Sequence, residues 1–240
     1  MQMQRLIRAI YPAQCVACDV ATTGDFDLCG VCWRDTQFIN GTIYDACGTA
    51  LPGDFGDYDA KCDDCLRIAR PWEEGRSMLA YTGVGRKLVL SLKHGDRTDL
   101  AQPVARWMVR KAEPLIQPDS VLVPVPLHWV RLLHRRHNQA AILANIMGKR
   151  MQATVCLDAL IRSRATKPLE GHSRDARFRA LTDVVQFNPK RQQLISGRPV
   201  ILIDDVMTSG ATLAACADAC LAAGVIRVDV VTLARVIKDA

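Results

Sequence analysis

The stretch Val200-Ile-Leu-Ile-Asp-Asp-Val-Met-Thr-Ser-Gly-Ala-Thr212 decides the fold of this chain. Its first four residues are apolar, include β-branched side chains and follow Arg198-Pro199. They predict a short strand that is buried on both faces, as in a parallel sheet. The small residues Thr208–Thr212 then predict a tight turn into an Ala-rich helix, which we expect from about Leu213 to Ala223. This order of strand, turn and helix predicts an α/β fold.

Two acidic residues, Asp204 and Asp205, fall at the carboxyl end of the predicted strand. That edge of an open α/β sheet is where ligands bind. Two adjacent carboxylates suit a ribose diol, a Mg²⁺ ion or both. The turn that follows offers N–H groups, hydroxyls and the positive end of a helix dipole to a phosphate. The alternative is an ordinary strand–turn–helix unit with a solvated acidic turn.

The same stretch resembles the phosphoribosyl diphosphate (PRPP) signature of type I phosphoribosyltransferases, a hydrophobic strand followed by Asp-Asp and then by Thr-Ser/Thr-Gly-x-Thr. The resemblance implies that Asp204 and Asp205 are the catalytic carboxylates, which hold the ribose hydroxyls directly or through Mg²⁺. It assigns PRPP and phosphate binding to the residues that follow, Val206, Met207, Thr208, Ser209, Gly210, Ala211 and Thr212.

Seven of the ten cysteines lie between Cys15 and Cys65. The first four of these, Cys15, Cys18, Cys29 and Cys32, form two pairs with the spacing C-x₂-C-x₁₀-C-x₂-C. Each pair can form a knuckle with two thiolates, and the spacer is long enough for a hairpin. We therefore predict a structural Zn²⁺ with four sulfur ligands. The alternative is a redox C-x-x-C motif, although no thioredoxin-like βαβ pattern surrounds it.

A second, incomplete set consists of Cys47, Cys62 and Cys65, with Tyr44 where a fourth cysteine is expected. Three cysteines completed by a water or a nearby carboxylate would still hold zinc. A site that has lost its metal fits the sequence equally well.

The cysteine pattern and the signature together resemble the ComF family, in which a double zinc ribbon precedes a phosphoribosyltransferase domain. The resemblance extends from about residue 10 to about residue 236. It implies an N-terminal helix and zinc ribbon module at residues 1–70. It also implies a PRPP-binding domain of the type I, Rossmann-like α/β fold at residues 71–240.

The diphosphate of PRPP is bound, in type I phosphoribosyltransferases, by the loop after a strand that corresponds to Val121–Pro126. A basic run follows that strand here, and Lys93 ends a predicted helix that starts at Arg86. The resemblance therefore assigns diphosphate contacts to Pro126, Leu127, His128, Lys93, Arg131 and Arg135. The alternatives are a solvated basic helix start and a solvated Lys93. The embedded Trp129 would also suit a single-stranded nucleic acid.

Residues 162–177 are basic and have little hydrophobic patterning, which predicts a long mobile loop. The segment resembles the flexible lid that closes over PRPP in this fold. The resemblance assigns contacts with PRPP to four of its residues, Arg162, Arg164, Thr166 and Arg174.

The remaining patterns predict core elements. Ser77–Thr82 and Arg227–Val236 are expected to be strands, and Thr98–Ile116 is expected to be an amphipathic helix. We assign the following residues to the core: Leu100, Val104, Trp107, Met108, Leu115, Cys156, Cys216 and Cys220.

Charge is distributed unevenly along the chain. Residues 11–68 hold three basic and ten acidic residues, whereas the remainder holds 28 basic and 15 acidic residues, a balance of +13. The larger domain is thus expected to bind a polyanion, either a diphosphate or a nucleic acid. No apolar run reaches the ~18 residues of a membrane helix, and the N-terminus does not resemble a signal peptide. We predict a cytoplasmic protein without a transmembrane segment.

The function that these features favour is that of a ComF-like phosphoribosyltransferase or PRPP-binding protein, linked by the resemblance to DNA uptake. An alternative is an accessory protein that binds single-stranded DNA and DNA-processing proteins, with a vestigial or regulatory PRPP site. A PRPP-sensing transcriptional regulator ranks last, because no helix-turn-helix is evident. Glutamine amidophosphoribosyltransferase activity is not expected, since that reaction needs a glutaminase domain. The resemblance also allows a homodimer.

Overall fold

Seven strands form two β-sheets in the part of the chain that the computed structural model describes, residues 12–24, 27–41, 43, 46–50, 62–94, 97–128, 137–163 and 184–237. The strands are β1 (Gly75–Ala80), β2 (Val121–Pro124), β3 (Thr154–Val155), β4 (Leu160–Arg162), β5 (Val185–Phe187), β6 (Pro199–Met207) and β7 (Arg227–Arg235). The main sheet has the order β1-β7-β6-β2-β3 and all its neighbours are parallel. The predicted α/β class with a parallel sheet is confirmed, and this sheet is consistent with the Rossmann-like phosphoribosyltransferase fold.

Helices cover both faces of the main sheet. They are α1 (Gly30–Arg34), α2 (Asp63–Arg67), α3 (Gly83–His94), α4 (Ala101–Ala112), α5 (Gln139–Met151), α6 (Gln192–Ile195) and α7 (Ala211–Ala222), with 3-10 turns at Thr98–Leu100, Glu113–Leu115 and Pro189–Arg191. Along β6, Ile201 and Ile203 pack in one buried cluster with α3, α4 and α5. Val200 and Leu202 pack in the other cluster with α7. Because successive side chains of a strand alternate between its faces, this apolar run fills both layers.

The signature strand is longer than the sequence predicts. β6 continues through Asp204 and Asp205 to Met207, because β7 pairs alongside it as far as Arg235. Both carboxylates therefore lie within the sheet rather than just beyond it.

The core predictions are confirmed except at one tryptophan. The predicted helix Thr98–Ile116 is observed as α4 flanked by two 3-10 turns. Buried residues of the prediction are Leu100, Val104, Met108, Leu115, Cys156, Cys216 and Cys220. Trp107 is only partly buried, because it lies at the margin of the core against Phe38, with ring centroids 6.3 Å apart.

The cysteine-rich module forms backbone hydrogen bonds with β1, the edge strand of the main sheet. The Ile39 N–H donates to the Met78 carbonyl over 3.0 Å, and the Ala80 N–H donates to the Gln37 carbonyl over 2.9 Å. Residues Cys15, Val16 and Ala17 are part of the same buried cluster as the sheet. The boundary near residue 70 stays a prediction, but the two parts share a core.

Arg162 is a correction to the predicted mobile loop. It lies in β4, where it pairs with Val185 of β5 in an antiparallel ladder. Strand pairing fixes the start of this segment, which the sequence alone places in a loop. The other predicted residues of the loop, Arg164, Thr166 and Arg174, lie outside the described residues, as do Arg131, Arg135, Trp129 and Tyr44.

None of the helices described here combines the length and the apolar character that crossing a membrane requires.

Candidate functional site

The carboxyl end of β2 lies beside β6 just before the Asp204–Asp205 pair, at one edge of the main sheet. Pro124 is in register with Ile203, and the Val125 N–H donates to the Ile203 carbonyl over 2.9 Å. This pairing brings the loop Pro126–His128 next to the Asp204–Asp205 pair. His128 is buried, although it follows the strand in a loop. The edge is thus built by β-ladder pairing between segments that are far apart in sequence.

Lys93 connects α3 to this edge. Its ammonium Nζ lies 3.0 Å from Oδ1 of Asp205, and both side chains are largely buried. Asp205 also donates its backbone N–H to Oδ1 of Asp204 over 2.8 Å. The structure therefore places Lys93 at the carboxylate pair, and it is not a solvated helix cap.

The pKa of Asp204 is raised from 3.8 to about 7, first by burial and then by the neighbouring charge of Asp205. Lys93 and, more weakly, Arg162 act in the opposite direction. A carboxylate with this much unfavourable electrostatic energy gains from a hydroxyl donor or a cation. These oxygens fit the ligand preference of Mg²⁺.

The segment that we call the 208–212 loop consists of the turn after β6 and the first two residues of α7. Thr208 is exposed and Ser209 is buried. Gly210 is the N-cap of α7 with φ 82°, a left-handed conformation that favours glycine. A Cβ at this position would lie 2.6 Å from Nη1 of Arg70, so only glycine leaves room for that contact. The N-terminus of a helix is a general site for anion binding, and the Ala211 N–H here also donates to Oγ of Ser209 over 3.4 Å.

The first cysteine cluster fits a tetrahedral zinc ion. The four sulfurs of Cys15, Cys18, Cys29 and Cys32 lie within 4.8 Å of one another, and the Cys18 and Cys29 sulfurs are 3.6 Å apart. Sulfurs on a tetrahedral zinc, with Zn–S bonds of about 2.3 Å, are separated by about 3.8 Å. Burial disfavours the charged form of Cys15, yet hydrogen bonds from nearby backbone groups lower its pKa to about 6. This thiol is poised to bind metal as a thiolate.

The second cluster, Cys47, Cys62 and Cys65, is equally compact. Its three sulfurs lie within 4.8 Å of one another, and those of Cys47 and Cys62 are 3.6 Å apart. The pKa of Cys47 is lowered, first by a hydrogen bond with Cys65, and further by Thr49 and the charge of Arg235. The pKa of Cys65 is raised, first by Cys47 and then by burial, while Arg70 opposes this shift.

Comparisons with known proteins agree with these two clusters. A family model described as "Double zinc ribbon domain" matches residues 6–66. The chain is 29% identical over 232 residues to "DNA utilization protein YhgH" of Escherichia coli (strain K12), covering 93% of this chain and 97% of the relative. It is 24% identical over 194 residues to "Competence protein F" of Haemophilus influenzae, covering 78% of this chain and 76% of the relative. The chain is thus homologous to these two proteins over most of its length. The double zinc ribbon match and the two sulfur clusters support structural Zn²⁺.

Several sequence-assigned residues come together at one edge of the main sheet. Those described are Asp204, Asp205, the 208–212 loop, Lys93, His128 and the loop that contains it. Arg162 joins them because it acts on the pKa of Asp204. Val206 and Met207, in contrast, are strand residues of β6, and the Met207 side chain is part of the core.

Sequence reasoning missed two arginines at this site. Nη1 of Arg70 donates to the Ser209 carbonyl over 2.7 Å, and Nη1 of Arg235 donates to the Thr208 carbonyl over 2.7 Å. Arg70 precedes a proline at the predicted domain boundary, and Arg235 ends a predicted strand. Nothing in the local sequence signals their contact with the 208–212 loop.

Proposed function

We propose that this protein binds PRPP with Mg²⁺ at the carboxyl edge of its main sheet and acts as a phosphoribosyltransferase-like protein in DNA utilisation. The observation that carries the proposal is the partly buried Asp204–Asp205 pair, closely followed by a helix N-terminus with a glycine N-cap at Gly210. A sugar with neighbouring hydroxyls and a 5′-phosphate matches these two features.

Each part of the edge has a role in this proposal. Asp204 and Asp205 accept hydrogen bonds from the ribose hydroxyls, while N–H groups of the 208–212 loop and the dipole of α7 hold the 5′-phosphate. Bound Mg²⁺ would neutralise part of the diphosphate charge near the same carboxylates. In this proposal the Pro126–His128 loop and Lys93 stabilise the leaving diphosphate.

Catalysis by such a site is mainly electrostatic. Charges and dipoles fixed in advance stabilise an oxocarbenium-like transition state at the ribose and the departing diphosphate. Lys93 is held in place by its 3.0 Å contact with Asp205, so little reorganisation is needed. We expect direct transfer without a covalent intermediate on the protein.

The link to DNA rests on the relatives. Proteins similar to this chain over most of its length carry the names "DNA utilization protein YhgH" and "Competence protein F". We transfer to this chain a role in the uptake or use of external DNA.

The test is a calorimetric titration of PRPP with Mg²⁺ into zinc-loaded wild type and into the double variant Asp204→Asn/Asp205→Asn. Micromolar binding to wild type and its loss in the variant are expected. A matched control is Asp99→Asn/Asp158→Asn, which neutralises two exposed carboxylates and is expected to bind like wild type. Absence of binding to folded wild type would refute the PRPP proposal.

A second candidate function, binding of single-stranded DNA, is favoured by an aromatic and basic surface. Trp33 is 57% exposed, and its ring centroid lies 4.6 Å from that of Phe38. The Phe38 ring in turn contacts Trp107. A cleft of about 330 Å³ beside Trp107 is lined by three arginines and two carboxylates, Arg106, Arg110, Arg150, Asp27 and Glu113. Aromatic side chains stack on bases and arginines bind the phosphate backbone.

Binding of a fluorescent single-stranded oligonucleotide at increasing salt tests this second function. Trp33→Ala is expected to weaken binding at every salt concentration, whereas Arg110→Ala reduces the salt slope by about 1. Ile226→Ala removes another exposed apolar side chain, 67% exposed, and serves as the control. Binding that is unchanged in both test variants would exclude this surface.

A further inference from the structure

Two arginines link the second cysteine cluster to the 208–212 loop. Arg235 donates from Nη1 to the Thr208 carbonyl and from Nε to Oγ1 of Thr49, which also accepts a hydrogen bond from the Cys47 thiol. Arg70 donates from Nη1 to the Ser209 carbonyl, and it lines one cavity of about 650 Å³ together with Cys65 and Ala46. Two successive carbonyls of the loop are thus held by cations that lie beside the cysteines.

Arg70 is tightly confined between the cluster and the loop. Its guanidinium carbon lies 5.3 Å from the centroid of the Trp72 ring, and the Trp72 indole N–H donates to the Ala46 carbonyl. A side chain at Gly210 would lie only 2.6 Å from Nη1 of Arg70. Arg70 therefore packs directly against the backbone of the 208–212 loop, where only glycine leaves room for it.

The guanidinium of Arg70 lacks acceptors that a metal-bound cluster would supply. Its Nε and Nη2 are buried, and neither has a hydrogen-bond partner among the described residues. Buried N–H groups of a cation without acceptors are unfavourable. A zinc ion with three cysteine thiolates carries a net negative charge, and its sulfurs are good acceptors for such donors. Metal binding would therefore stabilise Arg70 in the position that holds Ser209.

We propose that Arg70 is a positioning residue that couples zinc binding at Cys47, Cys62 and Cys65 to the conformation of the 208–212 loop. The role of the loop as a phosphate site rests on the proposed function, but the coupling itself does not. The incomplete second ribbon then serves to shape the ligand site, in addition to any structural role.

The test measures amide hydrogen exchange in the peptide that covers residues 207–215, together with the zinc content of the full chain. In Arg70→Met, two zinc ions remain bound, and exchange in this peptide is about tenfold faster than in wild type. In Cys62→Ser, one zinc ion is lost and exchange rises by a similar factor. The double variant Arg70→Met/Cys62→Ser exchanges no faster than either single variant, because both substitutions break the same connection between the zinc site and the loop. Arg67→Met, an exposed arginine of the same module, is the matched control and exchanges like wild type.

Two results would overturn the coupling. One is wild-type exchange in an Arg70→Met protein with two bound zinc ions. The other is an increase in the double variant equal to the product of the single effects, which indicates independent loosening. Should Cys62→Ser fail to fold, partial chelation of wild type until one zinc ion remains replaces it. A PRPP titration of wild type separates the two proposals, since its failure refutes the proposed function and leaves the exchange result intact.

Discussion

At the scale of single residues, Asp204 is held in an environment that opposes its charge. The folded protein binds its proton more tightly than the unfolded chain does, because the pKa rises from 3.8 to about 7, first through burial and then through Asp205. As the pH rises from about 4 towards 7, the unfolded state loses this proton first, and the carboxyl progressively lowers the free energy of unfolding. Such a cost at the carboxyl edge of a parallel sheet is typical of a functional group.

We therefore predict that Asp204→Asn stabilises the ligand-free, zinc-loaded protein. The asparagine keeps the oxygen that accepts from the Asp205 N–H but removes the charge. Denaturant unfolding should show a gain that is larger at pH 8 than at pH 6, by about 1 kcal/mol.

The control for this prediction is Asp158→Asn. The pKa of Asp158 is lowered, first by its hydrogen bond with Arg191, so Asp158 is ionised at both pH values. Its effect on stability should not differ between pH 6 and pH 8. A destabilised Asp204→Asn, or a gain that shrinks as the pH rises, would contradict the assignment of Asp204.

At the scale of elements, two glycines let the second cysteine cluster lie directly against β1. Gly48 has φ 62°, and a Cβ there would lie 2.7 Å from the Gly75 carbonyl oxygen. A Cβ at Gly75 would in turn lie 2.8 Å from the Ala46 carbonyl oxygen. Backbone contacts backbone at both positions, so neither can move aside as a flexible side chain would.

We predict that Gly48→Ala lowers the free energy of unfolding by about 2–4 kcal/mol, because left-handed strain and overpacking add. Gly41→Ala is the matched control. It also has a positive φ, 76°, but nothing lies within 4 Å of its added Cβ, so it should cost only about 1–2 kcal/mol. Both variants are measured by denaturant unfolding. An equal loss of unfolding free energy in the two would show that crowding against β1 adds nothing to the cost of Gly48→Ala.

At the scale of the whole molecule, the zinc module and the sheet form one structure. The module supplies Cys15, Val16 and Ala17 to the main core and pairs with the edge of β1 through Gln37 and Ile39. Structural zinc supplies folding free energy directly. The loss of zinc should therefore also destabilise the edge of the main sheet.

We predict that chelation of zinc increases amide exchange at Ala80, whose N–H is bonded to Gln37 in the module. The N–H of Val125, which is bonded to Ile203 between β2 and β6, should change much less. Equal protection of Ala80 with and without zinc would show that the sheet edge is independent of the metal.

Much of the fold follows from local sequence pattern. The run Val200–Ile203 predicted a strand buried on both faces, and in β6 these four side chains are divided between the two core clusters. The cysteine spacing predicted both sulfur clusters. The carboxylates and the Gly210 turn were placed at the same sheet edge, because neighbours in sequence stay neighbours in a strand–turn–helix unit. The end of β6 and the strand position of Arg162 were not predicted, since both depend on a partner strand.

The sequence by itself thus determined the parallel α/β class, the two cysteine clusters and the acidic edge, because periodicity and spacing are local properties. Only the tertiary structure decided what surrounds that edge. It brought Lys93 to Asp205 and brought Arg70 to Ser209, 139 residues away in the chain. These contacts depend on how sheet pairing and close backbone packing bring distant segments together, and no local pattern of side chains encodes that geometry.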